Sequence, residues 1–185
     1  MRAKLLTIIT LLSFAINSYA AGLNVEKSSL KWTGEKVSGE HWGSIKFKSG
    51  KVDVKGGKLT GGNFVVDMTT ISVGDLEGEW ADKLKGHLKN EDFFNVSKHK
   101  TSTLKFKKVK EVKPNYYEVT ADLTIKEKTH EVKFNAKLKN DMFTGTLVFD
   151  RTKYDVKYGS GSFFKGLGDK MIYDDVKLEF NIATK

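Results

Sequence analysis

The sequence predicts an all-β domain of about eight or nine antiparallel strands, closed as a barrel or folded as a two-sheet sandwich, with one short helix. Three observations predict it. From Asn24 onward apolar and polar residues alternate with the two-residue period of half-buried strands. Gly, Asn and Pro pairs of the kind that reverse a chain separate many of the alternating segments. No strand-helix-strand rhythm interrupts them.

The chain opens on a short basic lead, Met1, Arg2, Ala3 and Lys4, before the apolar residues 5–16, a stretch too short to span a bilayer. Ser18 and Ala20 then form the small-x-small pattern read by a signal peptidase, so residues 1–20 are expected to be a cleaved export signal and residues 21–185 a single domain. The competing readings are a retained anchor or a buried core helix. No later segment approaches a membrane-spanning apolar run, and the mature chain is expected to be soluble and periplasmic or secreted.

The strands follow in order. Short alternations at Leu30 and Trp32, Ile45 and Phe47, and Val52 and Val54 precede Phe64, Val66 and Met68. Residues 79–90 break the period, because Trp80, Leu84 and Leu88 fall four apart and predict one face of a short helix, begun by Asp75 or Gly78 and ended by Asn90. Phe93 and Phe94 follow at once, and neighbours in an extended chain point to opposite faces. After Leu104 and Phe106 comes the clearest alternation, Tyr117, Val119, Ala121, Leu123 and Ile125, then Val132, Phe134, Ala136 and Leu138, with residues 127–131 as the hairpin connection. Phe143, Gly145, Leu147 and Phe149 lead to a Gly- and Ser-rich loop over 158–170 around Phe163 and Phe164. Val176, Leu178, Phe180 and Ile182 close the series. Ser49-Gly50, Gly56-Gly57, Pro114-Asn115 and Asn140-Asp141 are the expected turns.

Composition excludes several chemistries. Without cysteine there is no disulfide, thiolate metal site or thiol nucleophile. The net charge is +9, of which Arg2 and Lys4 supply two. Lys46, Lys48, Lys51, Lys55, Lys105, Lys107, Lys133, Lys137 and Lys139 follow the strand period on the polar face, which suits a solvated exterior better than a nucleic-acid surface. His41, His87, His99 and His130 show no metal-ligand spacing. Asp174 and Asp175, or Asp150 beside Arg151, are the candidate acid-base pairs, but no nucleophile elbow, phosphate loop or zinc motif accompanies them. No cofactor is expected.

The apolar face is left as the carrier of function. An eight-stranded barrel either fills with side chains or encloses one elongated ligand, and alternation alone does not separate the two. A cavity lined by Phe, Trp, Leu and Val selects an apolar molecule.

Several ordered stretches resemble the YceI-like family of exported, lipocalin-like proteins associated with polyisoprenoid binding. They are Gly39 to Gly43 with Ile45, Phe47 and Gly50; Gly61 to Met68 with Ile71, Val73 and Asp75; and His87 to Asn95 with its paired phenylalanines. Leu123 to Lys126, Asp150 to Tyr154 and Asp175 to Leu178 complete the series. The chain departs from the family pattern at His99-Lys100, where a Tyr-Pro pair is usual, and at Ala121 and Glu127, where glycines are usual. The resemblance implies an eight-stranded antiparallel lipocalin-like barrel with a short helix, holding an isoprenoid tail such as a polyprenyl lipid or a quinone. The expected lining is Trp32, Ile45, Phe47, Phe64, Val66, Leu104, Phe106, Val119, Leu123, Phe134, Leu147, Phe149 and Phe180, with Trp80, Leu84, Leu88, Phe93 and Phe94 framing the entrance. His41, His87 and Arg151 are candidates to meet a headgroup. The alternatives are a filled barrel that recognises another envelope protein and an enzyme on a lipid-like substrate; a homodimer stays open.

Overall fold

The computed structural model describes residues 18–140 and 142–185, so the basic lead, the apolar stretch of the expected signal and Asp141 of the Asn140-Asp141 turn lie outside the described residues. Ten strands are present: β1 (Ser18–Gly22), β2 (Ser29–Lys36), β3 (Gly39–Ser44), β4 (Lys46–Lys55), β5 (Lys58–Asp67), β6 (Thr101–Lys113), β7 (Tyr116–Ile125), β8 (Lys128–Lys139), β9 (Met142–Asp150) and β10 (Ile172–Ala183). They form one strongly curled antiparallel sheet in the order β1-β4-β5-β6-β7-β8-β9-β10-β2-β3. Among the described residues the one α-helix, α1 (Gly78–Lys89), lies between β5 and β6.

The count differs from the expected eight for two reasons. The segment around Ile45 and Phe47 changes partners at Ile45: β3 pairs with β2, whereas β4 pairs with β5 and β1. At that corner Thr70 Oγ1 accepts from the Lys46 amide (2.9 Å) and Ser72 Oγ from the Ser44 amide (3.2 Å), so side chains replace the ladder. Second, Ser18–Gly22 lies along β4, with Ala21 opposite Val52 and Gly22 opposite Lys51. This strand straddles the expected cleavage point after Ala20.

Ser49-Gly50 is no turn. The register of β4 shifts between Phe47 and Ser49, a bulge, and Gly50 is required because the Phe64 ring lies where its Cβ would be, 2.5 Å from Cδ1. The β7–β8 connection is tighter than residues 127–131, because Lys126 (φ 48°) and Glu127 (φ 63°) turn the hairpin alone in the left-handed region. Residues 128–131 are exposed on both faces of β8, so they carry no period.

The expected helix starts one residue earlier, at Gly78, and ends before Asn90. Only Leu88 of its residues is buried. Phe93 and Phe94 are both buried, because the chain there is a turn, not extended: the Phe93 amide donates to Asn90 O and that of Phe94 to Leu88 O. Their rings meet edge to face at 5.2 Å. Across the sheet, Phe47, Phe64, Phe106, Phe134 and Phe180 form a row with neighbouring centroids 5.6–5.9 Å apart, joining β4, β5, β6, β8 and β10.

Candidate ligand-binding site

The inward residues of this curled sheet do not fill it. They enclose a cavity of about 150 Å³, bounded by β2, β4–β10, the end of α1 and the turn after it. A protein cavity of roughly this volume is filled by one benzene ring, so the empty space takes about six carbon-sized groups. Along β10 the lining runs from Ile172 to Ile182, about 33 Å of strand at ~3.3 Å per residue. The lining therefore runs along most of β10. Its side chains are almost wholly apolar, with Ser102, Thr103, Tyr173 and Arg151 as the polar exceptions.

Most of the residues expected as lining border this cavity. Trp32, Ile45, Phe47, Phe64 and Val66 border the cavity from β2 to β5, and Leu104, Phe106, Leu123 and Phe134 from β6 to β8. Leu147, Phe149 and Phe180 contribute from β9 and β10, and Leu88, Phe93 and Phe94 cover one flank. Three expected residues lie elsewhere. Val119 is 1 % exposed but packs in the core away from the cavity, and Leu84 is only partly buried against that core. Trp80 is 70 % exposed, because α1 rests on the sheet near its C-terminal end and its first turn projects into solvent.

Sequence reasoning missed other lining residues. Val52, Ile125, Ala136, Phe143 and Val176 were in the correct alternating phase and needed only the knowledge that the interior is hollow. Leu59 had no such signal, since Gly61-Gly62 beside it interrupts the period.

The three headgroup candidates do not converge. Arg151 borders the cavity and is 1 % exposed, yet all five of its N–H groups are engaged. Nε donates to Tyr173 O (3.1 Å), Nη1 to Val156 O (2.7 Å) and Tyr158 O (2.9 Å), and Nη2 to Ile172 O (3.1 Å) and Asp174 Oδ1 (3.4 Å). Burial pushes the Arg151 guanidinium below its ordinary value, and Asp174 and Asp150 oppose that shift. A guanidinium in this range stays charged. It ties the loop after β9 to the start of β10 and has no donor left for a headgroup.

His41 lies outside the lining, with Nδ1 2.6 Å from Asp75 Oδ2, while Asp75 Oδ1 accepts from the Trp42 amide at 3.0 Å. Burial raises the Asp75 carboxyl, but the hydrogen bonds from His41, Trp42 and its own backbone outweigh it and hold the group below the usual carboxylate range. The pair fastens β3 to the segment after β5. His87 is also outside the lining; its ring stands edge-on to Tyr158 at 4.4 Å and to Phe93 at 5.5 Å, and Nε2 is buried with no hydrogen-bond partner among the described residues. Among the described residues no group of three His, Cys, Asp or Glu side chains is placed to hold a metal ion, and no helix is long and apolar enough to cross a membrane.

Known structures share this architecture. BcnA of Burkholderia cenocepacia superposes with a TM-score of 0.71 at 20% identity, covering 86% of this chain and 98% of its own. A polyisoprenoid binding domain from Saccharophagus degradans, implicated in plant cell wall breakdown, gives 0.61 at 13% identity over 91% and 97% of the two chains. The Campylobacter jejuni YCEI protein gives 0.54 at 13% identity over 100% and 93%. Identities this low establish the shared fold and nothing further. No curated protein matches the sequence. The sequence model of the YceI-like domain matches residues 22–184, nearly the whole of the curled sheet, and the chain belongs to that family.

Proposed function

We propose that this protein binds, stores or carries a long apolar lipid of the isoprenoid type, a polyprenyl lipid or an isoprenoid quinone, without catalysing a reaction on it. The observation that carries the reading is the cavity: continuous, about 150 Å³, and apolar nearly from end to end. Such a surface offers a hydrocarbon chain burial from water at roughly 25 cal/mol per Å² and offers a polar ligand almost nothing. The Saccharophagus degradans domain of similar fold is described as polyisoprenoid binding, which favours the same ligand class.

The curled sheet acts in this reading as an eight-stranded barrel. Support comes from β3 and β4, which Ile45 joins into one bent strand, its amide donating to Leu30 O at 3.0 Å. The opposite end is bridged by the segment after β1, where the Leu23 amide donates to Gly50 O and the Asn24 amide to Ala183 O. Export follows from the basic lead, the apolar residues 5–16 and the small residues before Ala21. It places the protein where membrane lipids are its neighbours.

The test is organic extraction of the purified protein followed by mass spectrometry, with uptake of a polyprenol from detergent micelles as a second arm. Recovery of an isoprenoid lipid near one per chain is the expected result. Failure of both, with no lipid recovered and no uptake from micelles, would overturn the proposal.

A further inference from the structure

The wall of the sheet has two places where neighbouring strands run side by side without pairing. Between β8 and β9 the ladder stops at the Asn135 and Thr146 pair, and the gap beyond is plugged by Tyr154, which is fully buried beside His130 and Phe149. Between β5 and β6 the ladder runs only from the Asn63 and Lys105 pair to the Asp67 and Thr101 pair. Residues 58–62 of β5 and 106–113 of β6 therefore face each other with no backbone rungs. Two side-chain contacts span this seam. The Phe106 ring lies on Gly62, 3.2 Å from where a Cβ would be, and Lys58 Nζ meets Glu111 Oε2 at 2.5 Å. Leu59 and Phe106, one on each bank, both line the cavity. Side chains alone, among them Phe106, Leu59 and the surface ion pair, separate the apolar interior from the outside here.

Charge is one-sided next to this seam. Residues 101–139, which make β6, β7 and β8, hold ten lysines against five carboxylates. Glu111 is engaged by Lys58, and Asp122 and Glu131 by Lys107. Lys108, Lys110 and Lys133 are exposed and line one shallow groove on the outer face with Glu118, Thr120 and Asn135. Solubility needs lysines anywhere; it does not need half of the net charge gathered beside the weakest stretch of wall.

We infer that the outer face of β6–β8 docks on an anionic lipid bilayer, and that the β5–β6 seam beside it is the doorway through which an apolar tail passes between membrane and cavity. The inference rests on the lipid-binding reading above. Lysines near an anionic surface act additively and over about a Debye length, so a cluster orients the protein and brings one flank to the membrane. A tail that moves sideways through that flank never crosses water, the step that costs most for a hydrocarbon. Gly61 and Gly62 leave the middle of that bank without side chains, so rotation of Phe106 widens the seam there.

Flotation with vesicles of phosphatidylcholine alone, and of equal parts phosphatidylcholine and phosphatidylglycerol, tests the docking. Binding is expected only to the second kind. The triple variant Lys108→Ser, Lys110→Ser, Lys133→Ser should weaken it about a hundredfold, while Lys83→Ser, Lys85→Ser, Lys98→Ser, with the same loss of charge, should change it less than about threefold. Because the chain has no cysteine, a polarity-sensitive dye on Thr60→Cys should report transfer to an apolar medium when vesicles are added, and the same dye on Lys83→Cys should not. Equal loss in both triple variants, equal dye responses, or binding to duplex DNA but not to vesicles overturns the inference. If vesicles are ignored while a polyprenol is still taken up from micelles, the docking is wrong and the carrier reading stands. If neither occurs, the carrier reading falls and the doorway falls with it.

Discussion

Filling the cavity should abolish lipid uptake and leave the fold intact, and Ala136→Phe is the change that does it. Ala136 is 4 % exposed, sits opposite Tyr117 and Gly145 in the ladder, and lines the cavity with its methyl group. The cavity measures about 150 Å³, and a protein cavity of roughly that size is filled by one benzene ring. A phenyl group at this position therefore takes most of the space. At ~24 cal/mol per Å³ the relieved cavity is worth at most roughly 3–4 kcal/mol, and imperfect fit takes back about 1–3 kcal/mol, so the variant should unfold in urea at or above the wild-type midpoint. Displacing only four methylene groups of a tail removes about 3 kcal/mol of binding, a hundredfold or more in Kd. Native mass spectrometry after loading from micelles reads occupancy, and urea titration reads stability. Wild-type stability together with wild-type occupancy would refute the placement of the tail in this cavity.

Arg151→Met should cost about 3–5 kcal/mol in urea unfolding, because it strips four backbone carbonyls, one in a buried and three in partly buried hydrogen bonds, of their donor; a loss under about 1 kcal/mol would return Arg151 to the headgroup candidates. Burial pushes the Tyr154 hydroxyl up to about 12, with no hydrogen-bond partner among the described residues. The unfolded chain ionises near pH 10. The contribution is therefore intact below pH 10 and lost as pH rises toward 12, by up to roughly 3 kcal/mol. Tyr154→Phe should flatten that alkaline decline and be no less stable at neutral pH; parallel declines in the two proteins would contradict it. Glu127→Gly should raise stability by about 1 kcal/mol, since glycine takes the φ of 63° there without strain. Lys126 should be kept, because its Nζ donates to Asp155 O at 2.8 Å; an unchanged urea midpoint for Glu127→Gly would show that the turn carries no strain.

The sequence made β7 and β8 legible because each presents one face to the interior and one to water, so period two appears from Tyr117 to Ile125 and again from Val132 to Leu138. The same phase marks most of the residues that border the cavity. It failed where the deciding contact is distant in the chain. The corner at Ile45 leaves the alternation intact, and the exchange of partners from β2 to β5 has no local signature. Trp80 shares a helical stripe with Leu84 and Leu88, but a stripe says nothing of how far along its length the helix is supported. Arg151 reads as a free cation because its four carbonyl acceptors come from residues 156–158 and 172–173, and backbone groups are invisible in a residue pattern.

A hollow interior and a stable fold pull against each other, and the position of Arg151 shows how the chain reconciles them. A core of this size would normally close on itself, since an unfilled 150 Å³ destabilises by roughly 3–4 kcal/mol out of a typical 5–15 kcal/mol. Collapse is resisted by supports placed around the cavity instead of within it. Trp32 Nε1 is fastened to Ser72 O at 2.9 Å, Asp75 to His41 and the Trp42 amide, and Arg151 to two separated backbone segments. Each support is a polar contact at the rim whose geometry does not relax when the middle is empty, whereas an apolar contact would slide inward. A ligand at a hundred times its Kd then adds about 2.7 kcal/mol by mass action, close to what the empty space takes away. The loaded protein should accordingly have the stability of a filled barrel, and the empty one should hold its shape through the rim.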